Sequence, residues 1–255
     1  MSVGINSRKS GTGKILTISY DRVSKLNALN SDGIKDLQKA FEDISSDLEM
    51  RAVVFTGAGS KSFIGGADIN ELSDLNPTTS REFISALHDL FVLMRELPVP
   101  IIARVNGYAL GAGMELAAAC DIRIASDTAV FGMPEVRVGV PSVIEAALLP
   151  RIIGWGRSNY LVLTGESIDA KTAYEWGFVE KMVKQNKLDL EVDKIANSIA
   201  ASGPIAIRAQ KALVSDWEKL SLERGIQAGI DAFSMAFTTD EPQRMMQAFF
   251  HRKNK

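Results

Sequence analysis

Four short apolar runs, separated by segments of helical periodicity, constrain the fold of this chain more than any other feature. The runs lie at residues 15–20, 52–56, 101–105 and 122–125 and are rich in β-branched residues. Such runs are typical of strands that are covered on both faces. Strands that alternate with helices predict an α/β fold with mainly parallel strand pairing.

Two of the intervening segments have the apolar spacing of amphipathic helices. The second one ends at Leu97, before Pro98, because proline cannot continue a helix. Both are expected to cover the strands with a single apolar face. The apolar positions are Ile34, Leu37, Phe41, Ile44 and Leu48 in the first segment and Phe83, Leu87, Leu90, Phe91 and Met94 in the second.

After about residue 142 the periodicity is helical almost to the end of the chain. Gly154, Gly165, Gly177 and the pair at 203–204 divide this part into separate helices. We therefore predict a core over residues 1–200 and a C-terminal helical region over residues 201–255. Amphipathic helices of this kind pack on their own core or on a second subunit, and the sequence leaves both arrangements open.

Composition excludes several classes of function. The formal net charge is −2 at pH 7, so no overall basic field attracts nucleic acid. Cys120 is the only cysteine, and His88 and His251 are the only histidines, which argues against a disulfide and a metal site. No apolar run reaches the roughly 18–20 residues of a membrane span. We expect a soluble, cytoplasmic protein with no membrane partner.

Residues 63–69 form the first segment with chemical interest, because Gly65 and Gly66 precede Ala67 and Asp68. Adjacent glycines suit a turn in which the backbone approaches a ligand closely. If Asp68 begins a helix, the N–H groups near Ala67 point outward as free donors. A plain glycine-rich turn is the alternative for this segment taken alone.

Residues 106–121 form the second segment, which follows a predicted strand and begins a helix of small residues. The glycines at Gly111 and Gly113 leave backbone donors free and make room for a flat ligand. Glu115 lies one turn into this apolar helix. A carboxylate among alanines is either paired with a partner or kept for chemistry, because burying it alone is costly.

Residues 131–141 form the third segment, a loop bracketed by proline and glycine that carries Glu135, 20 residues after Glu115. Two carboxyls held together suppress each other's ionisation, so that one keeps a proton while the other stays charged. Addition of water to a double bond requires such a pair, with one protonated and one charged carboxyl. Each glutamate also has a structural alternative, an ion pair with a residue such as Arg123 or Arg137.

Together the three segments resemble the crotonase superfamily, also called the enoyl-CoA hydratase/isomerase family. The motifs are Phe-x-Gly-Gly-Ala-Asp-Ile at 63–69, Asn-Gly-Tyr-Ala-Leu-Gly-Ala-Gly-Met-Glu-Leu at 106–116 and Phe-Gly-Met-Pro-Glu at 131–135. Segments at 25–30, 163–179 and 248–253 also match, so the resemblance covers about residues 12–253. It implies an α/β fold with a repeated ββα core in a spiral, and a C-terminal helical region that oligomerises and caps CoA.

The resemblance assigns roles to individual residues. Ala67 and Ala112 match the positions whose N–H groups form the oxyanion hole for the thioester oxygen. Glu115 and Glu135 match the catalytic glutamates, with Glu135 as proton donor and Glu115 acting on water. The positions expected to contact CoA or the substrate are Lys25, Ala28, Gly65, Ala67, Asp68, Ile69 and Gly111, together with Phe249 and Lys253 from a neighbouring subunit.

The implied reaction is addition of water across the 2,3 double bond of an enoyl-CoA thioester. CoA is part of the substrate, and no cofactor or metal is implied. The family forms trimers or dimers of trimers, so a homo-oligomer is implied, without a nucleic-acid partner. Double-bond isomerisation by one glutamate is the alternative reaction, and a non-catalytic acyl-CoA-binding or RNA-binding protein of the same fold is the alternative class.

One segment departs from the hydratase pattern. Typical hydratases have an Ile-Pro-Gly-Ala-Gly-Gly stretch, whereas residues 140–147 read Val-Pro-Ser-Val-Ile-Glu-Ala-Ala and are one residue shorter. Glu145 therefore brings a possible third carboxylate near the site. It is either a solvated charge at the start of a helix or a group that takes part in binding or catalysis.

Two other glycine-containing stretches argue against a nucleotide-binding fold. Residues 11–14 read Gly-Thr-Gly-Lys but lack the spacing of a phosphate-binding loop and precede a strand. Residues 57–59 read Gly-Ala-Gly after a strand, yet Ser62 stands where a third glycine belongs.

Overall fold

The structure, a computed structural model, describes the backbone of residues 2–253 and the side chains of residues 2–251. Ten strands in this part of the chain form a six-stranded and a four-stranded sheet. The strands are β1 (Val3–Ser10), β2 (Gly13–Tyr20), β3 (Met50–Gly57), β4 (Ser62–Ile64), β5 (Ile101–Val105), β6 (Tyr108–Leu110), β7 (Ile122–Ser126), β8 (Val130–Gly132), β9 (Ser167–Asp169) and β10 (Lys181–Val183).

The same residues contain eleven α-helices and several short 3-10 helices. The α-helices are α1 (Ser31–Ser45), α2 (Ile69–Ser73), α3 (Pro77–Glu96), α4 (Ala112–Ala119), α5 (Leu149–Ile153), α6 (Trp155–Thr164), α7 (Ala170–Glu175), α8 (Leu188–Ala200), α9 (Pro204–Lys219), α10 (Leu222–Ala236) and α11 (Glu241–Lys253). None of the helices in the described residues is both long and apolar enough to cross a membrane.

The four predicted strands are neighbours in the larger sheet, whose order is β1-β2-β3-β5-β7-β10. Every pair from β2 onward is parallel, whereas β1 and β2 form an antiparallel hairpin. The predicted α/β fold with parallel pairing is therefore confirmed. Residues 11–14, weighed above as a phosphate-binding loop, form the turn and first strand residues of this hairpin.

The smaller sheet, with the order β4-β6-β8-β9, confirms the predicted ββα repeat. The chain places β3, β5 and β7 in the large sheet and, after each of them, β4, β6 and β8 in the small sheet. Helical segments follow each of these pairs. Because β4, β6 and β8 are parallel neighbours, the loops after them leave the same edge of the sheet side by side.

The predicted apolar helix faces are buried, with one exception. Ile34, Leu37, Phe41 and Ile44 of α1 lie in the core, but Leu48 is 80% exposed. The prediction was wrong for Leu48 because α1 ends at Ser45 and the chain then turns into β3. All five predicted positions of α3 are buried, and the helix ends at Glu96 with Leu97 as its C-cap, directly before Pro98 as expected.

The predicted breaks in the helical part are also confirmed. Gly154 and Gly177 have φ near +82°, and Gly165 ends α6 with φ +65°, values that favour glycine. The pair at 203–204 begins α9.

The last helices differ from α8 in how they are covered. α8 packs on the larger sheet, with Leu188, Val192 and Ala196 against strand residues such as Ile15. By contrast, α9, α10 and α11 carry many exposed apolar residues, including Trp217 and Phe233. The division of the chain near residue 200 stays a prediction.

Candidate active site

A cavity of about 1010 Å³ lies where the loops after β4, β6 and β8 meet α3. Glu115 reaches it from α4 and Glu135 from the 3-10 helix after β8, and α3 contributes an apolar wall. The lining includes Gly65, Gly66, Ala67, Ile69, Leu72, Leu75, Phe83, Ile84, Leu87, Gly111, Ala112, Glu115, Glu135, Val138, Val140 and Val143.

The turn after β4 directs one backbone donor into this cavity. The N–H of Leu29 donates to the carbonyl of Gly66 at 2.8 Å, and the N–H of Asp68 donates to the carbonyl of Leu29 at 2.7 Å. These bonds flank Ala67, which is paired with Leu29 in a parallel bridge. The N–H of Ala67 consequently points away from Leu29, on the side where Ala67 lines the cavity.

The start of α4 supplies the second donor. Ala112 is the first residue of this helix, so its N–H has no acceptor within the helix. Ala112 also lines the cavity. The helix start lies tightly against β4, because a Cβ on Gly113 would stand 2.0 Å from the carbonyl oxygen of Ile64. This packing brings the donors of Ala67 and Ala112 to the same cavity.

Glu115 is held inside the protein by backbone donors. Glu115 is 3% exposed, and its Oε1 accepts a hydrogen bond of 3.1 Å from the N–H of Ala146. Burial raises the pKa of Glu115 to about 8, and the negative charges of Glu135 and Glu145 add to the rise. Hydrogen bonds from the backbone of Ala146 and Val143 offset this rise in pKa only in part.

Glu135 follows β8 on a 3-10 helix and reaches the same cavity. Its Oε2 accepts a hydrogen bond of 2.8 Å from the hydroxyl of Ser142. Its Oε1 lies against Gly111, whose φ of +52° and lack of a Cβ make room for it: a Cβ there would stand 2.4 Å from that oxygen. Burial raises the pKa of Glu135, and the hydrogen bond from Ser142 opposes the rise.

The structural alternatives for the two glutamates are not realised. Arg123 forms its ion pair with Glu180, and Arg137 forms its ion pair with Glu166. Glu115 and Glu135 therefore face the cavity without an arginine partner among the described residues. Two carboxyls in one cavity, Glu115 buried and Glu135 half-buried, share a proton more readily than they ionise together.

Comparison with known proteins shows the family of the chain. The sequence model described as enoyl-CoA hydratase/isomerase matches residues 10–255. The chain belongs to the enoyl-CoA hydratase/isomerase family. It is 36% identical over 242 residues to a short-chain-enoyl-CoA hydratase of Clostridium acetobutylicum, covering 94% of this chain and 93% of that protein.

Two further relatives extend the comparison. A crotonyl-CoA hydratase of Syntrophomonas wolfei is 36% identical over 241 residues, covering 94% of this chain and 93% of that protein. The crystal structure of an enoyl-CoA hydratase from Bacillus anthracis superposes with a TM-score of 0.94 at 33% identity, covering 99% of this chain and 97% of that chain. The likeness in fold includes the C-terminal helices.

The other predicted contact residues divide into two groups. Gly65, Ala67, Ile69 and Gly111 line the cavity, as expected of substrate contacts. Lys25, Ala28 and Asp68 do not line it. They belong to the adjoining turn, where the Gly65 N–H donates to the Leu26 carbonyl at 2.9 Å.

Within this turn, Asp68 has a structural role that its family motif does not reveal. Its carboxylate pairs with Arg22 at 2.9 Å and also caps α2. Arg22 in turn donates to the carbonyl of Ala28 at 2.6 Å, so the pair ties the two halves of the turn together. Lys25 is exposed beside them, which leaves its ammonium group accessible at the surface.

The remaining predicted contacts lie at the end of the chain. Phe249 is on α11, is 55% exposed and does not line the cavity of its own chain. The side chain of Lys253 lies outside the described residues. Contact of either residue with CoA bound to a neighbouring subunit stays a prediction.

Sequence reasoning missed several residues that shape the site. Asn27 is fully buried in a left-handed conformation with φ +57°, and its amide donates to the carbonyls of Ala58 and Ser62 at 2.9 Å each. Ser142 holds Glu135, as described above, and His88 contacts Glu145. Of these, only Asn27 carried a local signal, since asparagine tolerates left-handed backbone better than most residues.

The assignment of the proton to Glu135 stays a prediction. In the structure the pKa values of both carboxyls are raised by burial. The pKa of Glu115, on an apolar helix, is raised further by the charges of Glu135 and Glu145. The pKa of Glu135 is lowered in part by the hydrogen bond from the Ser142 hydroxyl, which stabilises its charged form.

A raised pKa at Glu115 makes stability depend on pH. The ordinary value for this carboxyl is 4.5, so between pH 4.5 and about 8 the unfolded chain loses a proton that the folded protein keeps. Its stabilising contribution is complete below pH 4.5 and is lost as pH rises through about 8. The variant Glu115→Gln lacks this loss. Its free energy of unfolding, relative to that of the parent, should therefore rise with pH by up to about 1.4 kcal/mol per pH unit in this window.

Urea unfolding of both proteins at equal concentration, from pH 5 to pH 9, measures this difference. A difference that does not vary with pH would mean that Glu115 titrates at its ordinary value in the folded protein.

Proposed function

We propose that this protein catalyses the addition of water across the 2,3 double bond of an enoyl-CoA thioester. The observation that carries the proposal is that Glu115 and Glu135 face the same cavity as the backbone donors of Ala67 and Ala112. The hydratases of C. acetobutylicum and S. wolfei, each 36% identical to this chain, support the same reaction.

The two backbone donors would bind the thioester oxygen. Attack of water at C3 moves negative charge onto that oxygen, where the N–H groups of Ala67 and Ala112 stabilise the enolate. Their position is fixed by the fold before the substrate arrives, so no reorganisation opposes the reaction. Loss of one such donor typically costs about 100- to 1,000-fold in rate.

The two carboxyls would move the protons. With one proton between them, the ionised carboxyl accepts a proton from water as the oxygen bonds to C3, and the protonated carboxyl gives its proton to C2. The pair ends with one proton, so atoms and charge balance over the cycle. General acid–base help of this kind is worth about 100- to 10,000-fold.

The remaining surfaces of the cavity suit the rest of the substrate. Phe83, Ile84 and Leu87 of α3 provide an apolar wall for the acyl chain. Lys25, exposed on the adjoining turn, would pair with the CoA phosphates. The carboxyls and backbone donors supply every step above, so the proposal includes no metal or redox cofactor, and CoA enters only as part of the substrate.

We also propose a homo-oligomer and a cytoplasmic location. Support for the oligomer comes from α9 and α10, where Trp217, Leu222, Ile226, Ile230 and Phe233 expose apolar side chains along a continuous groove. Contiguous apolar surface of this kind is typical of interfaces between subunits. The cytoplasmic location is consistent with a single, buried cysteine.

Hydration of crotonyl-CoA, followed by loss of the absorbance of the conjugated thioester, tests the reaction. Glu115→Gln and Glu135→Gln should each lower kcat by about 100-fold or more, because each removes one of the two proton-transferring groups. Binding of butyryl-CoA, which has no double bond to hydrate, should be retained in calorimetry. Glu82→Gln, on the exposed face of α3, serves as the control and should keep the parent activity.

Product analysis separates the competing reactions. Unchanged rates in both variants would reject the assignment of Glu115 and Glu135. A shifted double bond, dependent on only one glutamate, would identify an isomerase, and thioester binding without turnover would identify a binding protein.

Gly111→Ala should lower kcat by about 100-fold without removing either carboxyl. The added methyl group would stand 2.4 Å from Oε1 of Glu135, so that carboxyl has to leave its position. Gly156→Ala is the matched control, because a Cβ at that helical glycine meets no atom within 4 Å. Steady-state kinetics of the two variants measures the effect, and equal activities would contradict the placement of Glu135 against Gly111.

Sedimentation velocity tests the oligomer. The protein should sediment at a multiple of the mass of one chain, and Phe233→Glu on α10 should reduce that mass by placing a charge on the apolar surface. Leu190→Glu on α8, a similarly exposed apolar position, is the control and should not change it. A parent protein that sediments as a single chain would refute the proposal.

A further inference from the structure

Glu145 is a buried carboxyl that the proposed reaction does not use. It lies on the 3-10 helix Ile144–Leu148, is 6% exposed and does not line the cavity. The alternative of a solvated helix-start charge is therefore wrong. Its oxygens lie 3.0 Å and 3.3 Å from Nδ1 of His88, which comes from α3.

The residues on either side of Glu145 hold Glu115. The N–H of Ala146 donates to Oε1 of Glu115 at 3.1 Å, and the backbone of Val143 also stabilises that carboxylate. The turn 143–146 therefore has two attachments: main-chain donors to Glu115 on α4 and a side-chain bond to His88 on α3.

The same turn carries backbone strain. Ile144 has φ +40°, in the left-handed region that β-branched residues avoid. Such a conformation persists only when its surroundings fix it, and it is found most often at functional sites. The attachments of the turn lie on both sides of Ile144: Val143 precedes it, and Glu145 and Ala146 follow it. They supply the constraint that this conformation needs.

We propose that Glu145, paired with His88, is a positioning residue for Glu115: the pair fixes the 143–146 turn, whose Ala146 N–H holds the Glu115 carboxyl. The catalytic part of this inference rests on the proposed hydration reaction. The effect of the Glu145 charge on the proton of Glu115 is measured by unfolding and does not depend on that reaction.

The charges around the pair are consistent with this role. His88 and Arg95 of α3 attract Glu145, whereas Glu115 of α4 is repelled by it. Arg95 forms its own ion pair with Glu218, so His88 is the partner in hydrogen-bond contact. Burial raises the pKa of Glu145, and the hydrogen bond from His88 opposes that rise and favours the charged form.

Two substitutions separate the charge from the attachment. Glu145→Gln keeps an oxygen that can accept from His88 but removes the negative charge. His88→Ala removes the donor and leaves Glu145 buried without it, whereas His88→Gln restores an N–H donor. Glu82→Gln, an exposed carboxylate on α3, is the control for loss of one negative charge.

The first measurement needs no catalytic activity. The difference in unfolding stability between Glu115→Gln and its parent is measured against pH, first in the natural background and then with Glu145→Gln in both proteins. The upper end of the pH-dependent window should move down by about one pH unit when the Glu145 charge is removed. In the Glu82→Gln background it should not move.

The second measurement is the pH profile of crotonyl-CoA hydration. The limb of kcat/KM assigned to Glu115 should shift in Glu145→Gln by the same amount as the stability window. His88→Ala should lower kcat by about 10- to 100-fold, with KM changed by less than about threefold, because the carboxyl is misplaced and not removed. His88→Gln should recover most of the loss.

The two measurements test separate parts of the inference. An unmoved stability window in the Glu145→Gln background overturns the effect on the proton, whatever the enzyme catalyses. Parent-like kcat in His88→Ala, or no recovery in His88→Gln when both variants are folded, overturns the positioning role. If His88→Ala does not fold, the positioning role is tested instead by comparing kcat of His88→Gln with kcat of Glu145→Gln. Absence of hydration by the parent rejects the proposed function, while the stability window still tests the inference.

Discussion

Removal of the Glu115 carboxyl from water is the physical constraint on which the rest of the site depends. A carboxylate on an apolar helix is costly unless donors or a proton compensate for lost hydration. Here the backbone of residues 143–146 compensates only in part, and two further carboxyls lie close enough to raise the pKa of Glu115. The site therefore holds a proton near neutral pH, and acid–base chemistry needs such a group.

The repeated ββα unit explains how distant segments reach one cavity. Each repeat sends one strand to the large sheet and a three-residue strand to the small sheet, so β4, β6 and β8 end side by side. The loops after them carry Ala67, Ala112 and Glu135 in turn. Glu115 lies on α4, which starts at Ala112 and packs closely on Ile64 of β4 at Gly113. Three similar connections thus supply both donors and both carboxyls.

The features that were predictable from the sequence are those with a local signal. The long strands β2, β3, β5 and β7, the buried faces of α1 and α3, and the glycine breaks all follow from periodicity or from backbone freedom. The motif glutamates and the two alanines were found by resemblance to a family. The three-residue strands of the small sheet were not found, because a strand of three residues is too short to show a periodic pattern.

Features that depend on tertiary contacts could not be predicted. Leu48 continues the apolar spacing of α1, and only the position where the helix ends places it in water. The pair formed by His88 and Glu145 joins residues 57 positions apart, and neither residue has a neighbour in sequence that indicates it. The raised pKa of Glu115 depends on its burial and on the nearby charges of Glu135 and Glu145, which no spacing encodes.

The main chain and the side chains of the site have different functions. Binding of the thioester oxygen depends on N–H groups, which any residue except proline provides, so alanine at 67 and 112 serves as well as another small residue. Control of the proton depends on side chains, and in this chain these include Glu145, which does not line the cavity. Where typical hydratases have glycines, the 140–147 segment has Ile144 in a strained conformation next to a buried glutamate. A glycine there would give the turn freedom, whereas Ile144 requires the turn to be fixed from both sides. The contact between Glu145 and His88 thus takes over, through side chains, a constraint that the acid–base pair needs in order to hold its geometry.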